Sequence, residues 1–122
     1  MPKRLFFALF VLLLVVLPAT AVIAGESASV RSENITARLI ADQATVVPGG
    51  TVTLAFAQEI RDGWHTYWRN PGDSGAPADL RWGLPEGSSI GEAQWPPPEA
   101  IPYFGLMTYG HHDRFVLLHE LT

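Results

Sequence analysis

Thr51-Val52-Thr53-Leu54-Ala55-Phe56-Ala57-Gln58-Glu59-Ile60 is the stretch on which the fold turns. Val52, Leu54 and Phe56 fall on one side of an extended chain, and Thr51, Thr53 and Ala55 on the other. That period of two belongs to a strand with one face buried. Alanine is a weak strand former, yet Thr51, Val52 and Thr53 tip the balance toward β. Pro48-Gly49 before the run and Arg61-Asp62-Gly63 after it read as turns. Upstream, Ile35, Ala37, Leu39 and Ala41 alternate with Thr36, Arg38 and Ile40, which predicts a second strand. Downstream, Trp64 to Arg69 reads as a short aromatic strand, with Trp64, Thr66 and Trp68 on one face and His65 and Tyr67 on the other. Phe115, Leu117, His119 and Leu121 alternate with Val116, Leu118 and Glu120, a closing strand.

Between these runs lies a long irregular region. Seven of the ten prolines fall between Pro71 and Pro102. Only short strands fit there: Asp79 to Trp82, Ile90 to Trp95 and Leu106 to Tyr109. Pro96-Pro97-Pro98 suits a rigid crossover between two sheets. No apolar period of helical type persists beyond the N-terminus. Six or seven short strands joined by Gly/Pro turns predict an all-β, immunoglobulin-like β-sandwich. Leu117 to Thr122 stops in mid-strand, so a sandwich ending there would leave an unpaired edge. The expectation is a domain over residues 34–122 that is truncated at its C-terminus.

The N-terminus reads as a secretory signal peptide over residues 1–24. Lys3 and Arg4 precede an apolar run of thirteen residues, Leu5 to Leu17, and small residues through Ala24 offer a cleavage site. Thirteen is short of the ~20 residues a spanning helix needs, although an uncleaved anchor would extend the run through Ala24. Residues 25–33 read as a flexible polar leader. From Gly25 onward the chain has six arginines, no lysine and twelve acids, a net charge of −6. That sign excludes a footprint for nucleic acid and disfavours an anionic membrane surface. There is no cysteine, so these residues alone have no thiol chemistry, and the core must hold without disulfides. No cofactor is implied.

The segment Gly63-Trp64-His65-Thr66-Tyr67-Trp68-Arg69-Asn70-Pro71-Gly72-Asp73-Ser74-Gly75 stands out. Pro71 and Gly72 suit the second and third positions of a type II turn, with Asp73 or Ser74 tying the loop back to its own backbone. Together with Trp82-x-Leu84-Pro85-x-Gly87, Gln94-Trp95-Pro96-x-Pro98-Glu99 and Tyr109-Gly110, this block resembles the N-terminal periplasmic domain of the DsbD-type protein-disulfide reductases, in the branch that includes the copper-tolerance ScsB proteins. The resemblance spans roughly residues 34 to 121. It implies an immunoglobulin-like domain on the periplasmic side of a membrane reductase, which passes electrons from cytoplasmic thioredoxin to exported proteins through cysteine pairs. With no cysteine here, no catalytic residue carries over. The resemblance therefore implies an interaction domain with periplasmic protein partners and a membrane reductase domain in the same full-length chain.

Other readings stay open at this stage. Trp64, Trp68, Trp82 and Trp95 read either as core filling or as a partner surface; core filling is expected for two or three of them, with Trp95, ahead of Pro96-Pro97-Pro98, the one expected to be partly exposed. Met107, His111 and His112 are candidate copper ligands, since thioether and imidazole both suit that ion. Against this, Gly110-His111-His112-Asp113 also reads as a solvated turn, and adjacent residues of a strand point to opposite faces. Asp73 with Arg69, or Asp62 with His65, form no catalytic pair without a nucleophile. A purely structural sandwich is the remaining alternative.

Overall fold

A computed structural model describes residues 25–122. The expected signal peptide, or anchor, lies outside the described residues. Eight strands form among them: β1 Gly25–Glu26, β2 Val30–Arg31, β3 Ile35–Ala41, β4 Val52–Ile60, β5 Thr66–Gly72, β6 Glu99–Tyr103, β7 Leu106–His111 and β8 Arg114–Leu121. One sheet runs β1-β3-β4-β8 with β2 also on β3, and the second runs β5-β7-β6, all pairs antiparallel. The described chain is thus all-β, with two antiparallel sheets, as the alternation predicted.

The register of the first sheet follows from its alternating faces. Leu39 pairs with Phe56, which pairs with Leu117, so one cross-strand row is apolar throughout. Phe115, Leu117 and Ile60 are the buried centre, and Phe56, Leu80, Ala93 and Trp95 pack on it. Leu80, Ala93 and Trp95 come from the Pro-rich crossover, so that region covers the core even where it forms no strand. On the opposite face Arg38 bridges Glu26 at 2.9 Å and Glu59 at 3.8 Å, in keeping with a solvated surface.

Five expectations need correction. Residues 25–33 are not a free leader, because β1 and β2 pair with β3. Asp79 to Trp82 forms no strand. Ile90 to Trp95 makes only two isolated bridges, Ile90 to Leu121 and Gln94 to Leu118. Those bridges and the Ser89–Thr122 backbone pair line the edge of β8, so that edge is not bare. Finally, Glu99–Tyr103 is a strand despite Pro102. Counting back from the turn at Phe104-Gly105, Pro102 sits at a position whose N–H would face the open edge, where its absence breaks no ladder bond.

His111 brings a pH dependence into this core. Its ring stacks on Phe115 at 4.7 Å, and Nε2 is buried without a protein partner. Burial pushes its pKa below the usual 6.5, opposed by the charge of Glu99. The unfolded chain then binds the proton more readily, so stability is full above pH 6.5 and falls as pH drops below it. Denaturant melts from pH 7.5 to 5 should show that loss, and His111→Gln should flatten it. Glu99 is held below the usual carboxylate value by the hydrogen bond from His112, which adds a second loss of the same sign only below pH 4.5.

Candidate functional site

The site is built where β5 leaves the turn after β4. Trp64 N–H donates to the Arg61 carbonyl at 3.0 Å, closing that turn and leaving the Trp64 indole 50% exposed. His65 then packs edge-on against Tyr67 at 5.2 Å and against His112 at 5.7 Å. Tyr67 pairs with Gly110, but the next register point is Gly72 with Thr108. Trp68, Arg69, Asn70 and Pro71 therefore oppose Tyr109 alone and bulge from the ladder. Gly72 has the positive φ, 85°, that the turn reading required, yet it lies inside this bulged strand. The Arg69 guanidinium lies 5.2 Å from the Trp68 ring.

The segment after the bulge is fastened across the sheet rather than to itself. Asp73 N–H donates to the Met107 carbonyl at 2.9 Å, and Met107 N–H donates to Asp73 Oδ2 at 2.8 Å. Ser74 and Thr108 hydroxyls are 2.8 Å apart. Gly75 lies against the face of Tyr67, so any Cβ there would overlap the ring, and its φ of 92° disfavours other residues as well. Gly63 to Gly75 is thus a clasp that locks β5 onto β7.

The clasp forms one wall of a cleft of about 560 Å³. Trp64, His65 and Tyr67 line it from β5 and its approach, and Tyr103 and Leu106 from the β6–β7 hairpin, with Ser74 and Thr108 between. The hairpin turns on Phe104 (φ 46°) and Gly105 (φ 81°), both positive, a type I′ pattern. Phe104 is 91% exposed and packs only edge-on against Tyr103, at 4.6 Å. The sequence reading missed this aromatic tip: its signal was an aromatic-Gly pair where Asn-Gly is usual.

The remaining expected residues are placed as follows. Trp95 is partly exposed, as expected, but Trp64 is more exposed. Trp95 packs on Phe115 at 5.6 Å, and Trp82 packs edge-on against His119 at 5.1 Å. Pro96, half-buried, follows Trp95 into the crossover. Tyr109 is partly exposed opposite the bulge, and Gly110 is buried. Met107, His111 and His112 are not brought together as ligands. His111 turns inward onto Phe115, while His112 turns outward, with Nδ1 2.7 Å from Glu99 Oε2. Among the described residues no three His, Asp or Glu side chains converge on a point where a metal ion could sit.

The family model for the N-terminal region of the thiol:disulfide interchange protein DsbD matches residues 36–122. The chain belongs to that family. The crystal structure of the N-terminal periplasmic domain of ScsB from Proteus mirabilis superposes with a TM-score of 0.63 at 24% identity, covering 80% of this chain. The match spans only 38% of that structure's length, and at this identity it establishes the fold, an immunoglobulin-like β-sandwich. No curated protein matches the sequence.

Proposed function

We propose that this chain is the periplasmic interaction domain of a DsbD-type thiol:disulfide interchange protein, with residues 1–24 as its export signal. It supports reductant transfer to exported proteins, docking a cysteine-bearing domain or protein of the same system through its aromatic end. A membrane reductase domain belongs to the same full-length protein. Family membership supports the first part, and the absence of any cysteine supports a docking rather than an electron-carrying part. The observation that carries the reading is Phe104. A phenylalanine 91% exposed in a left-handed conformation costs about 1 kcal/mol relative to Asn or Gly, and its one aromatic contact is the neighbouring Tyr103. Strain of this kind gathers at functional positions. Trp64, Tyr103 and Leu106, all substantially exposed, surround the cleft beside it.

Phe104→Asn separates docking from folding. The variant should unfold at a higher temperature, since asparagine suits the turn, by about 1 kcal/mol of added stability. Carried in the native gene, it should lower the reduced fraction of exported thiol proteins several-fold, read by alkylation of free thiols. A stabilised variant with undiminished transfer would sink the docking reading.

A further inference from the structure

The cleft beside Phe104 is walled by the rings of Trp64, His65, Tyr67 and Tyr103, and among the described residues no lysine or arginine lines it. We infer that it receives a cationic side chain, an arginine or lysine presented by the docking partner; the inference rests on the docking reading above. Rings of Trp64, Tyr67 and Tyr103 line the cleft, and their π-faces attract ammonium and guanidinium groups. The described residues contain no lysine. Arg38, Arg81 and Arg114 are held in ion pairs, Arg69 lies on Trp68, and Arg31 and Arg61 line a separate groove with Glu33 and Glu59. None of them lines the cleft.

The charge around the cleft points the same way. Asp62 directly precedes Gly63 and Asp73 directly precedes Ser74, so an exposed acid flanks the lining at each end of the clasp. Among the described residues neither acid is in an ion pair. The Asp73 carboxylate accepts only a backbone N–H, that of Met107. The half-buried Ser74 hydroxyl, bonded at 2.8 Å to that of the buried Thr108, retains a lone pair able to accept from a guanidinium. With a net charge of −6 from Gly25 onward, a second copy of the chain meets like-sign repulsion, whereas a basic partner is attracted. Arginine is also a residue enriched at such interfaces.

The test titrates the isotope-labelled chain with three capped peptides, Gly-Arg-Gly, Gly-norleucine-Gly and Gly-Glu-Gly, followed by NMR. The arginine peptide should shift the Trp64 indole and the Tyr67 and Ser74 signals saturably. It should bind roughly two- to fivefold tighter than norleucine for each ring engaged, and the preference should shrink at high salt. A Trp64→Leu/Tyr103→Leu variant, with β4 and β8 signals in place, should lose the preference while remaining folded. Equal or tighter binding of the norleucine peptide, or no shift at the cleft with arginine, overturns the assignment. If that happens while Phe104→Asn still lowers reductant transfer, docking stands and only the cationic chemistry falls. If arginine binds but Phe104→Asn leaves transfer intact, the docking reading is the one that fails.

Discussion

Replacing Phe115 with alanine should cost about 3–5 kcal/mol, a large share of the roughly 5–15 kcal/mol that holds a domain of this kind together. The ring is 1% exposed. It stands on β8 in the first sheet, stacks on His111 of the second at 4.7 Å, and meets Trp95 of the crossover at 5.6 Å. A single side chain therefore joins all three layers, and Ile60 and Leu117 close the cluster around it. Truncation would leave a void bounded by two sheets whose hydrogen bonding prevents collapse, which places the cost in the upper range for such changes. No disulfide limits the unfolded ensemble. Thermal melts should show a fall of about 4–8 °C per kcal/mol lost. Val116→Ala, next along β8 and on the outer face, should cost less than about 1.5 kcal/mol. Similar losses for both would contradict the placement of the core.

The first sheet was legible because its strands have one wet face and one dry face. The alternation in β3, β4 and β8 fixed which side chains point inward, and the register then follows, as the row Leu39, Phe56, Leu117 shows. The second sheet was harder to read. Pro102 argues against a strand unless its position faces an open edge, and that is known only once β6 is paired. The two-residue strands β1 and β2 carry no period at all. Which tryptophan is most exposed depends on what crosses above it: Trp95 gains Phe115 beneath it, while Trp64 stands at a turn with nothing passing over. The same holds for the clasp. Pro71-Gly72-Asp73 announced a turn, but the partners of Asp73 and Ser74 are Met107 and Thr108, each thirty-four residues away, beyond the reach of local pattern. The aromatic cleft joins two segments, one around Trp64 and one around Tyr103, that no spacing rule connects.

Gly110→Ala should be the most damaging change at the site itself, about 3 kcal/mol, the upper part of the range for overpacking. A Cβ at this buried position would overlap the Thr66 carbonyl oxygen and would lie 3.0 Å from the Thr66 carbonyl carbon and 3.3 Å from the Tyr67 Cα. All three neighbours are backbone, so no rotamer change relieves the contact; β5 must move away from β7. That motion breaks the ladder at Tyr67 and Gly110 and carries Tyr67 off Gly75. The cleft and the clasp should therefore open together, which mild proteolysis would report as new cleavage between Trp68 and Ala76. Gly105→Ala is the control. Its φ of 81° makes alanine unfavourable, but nothing lies within 4 Å of the added Cβ, so only the backbone term of about 1–2 kcal/mol applies. If Gly110→Ala proved the milder of the two, then β5 and β7 do not approach as closely as described. The Gly63–Gly75 block would then need an explanation other than the locking of one strand onto the other.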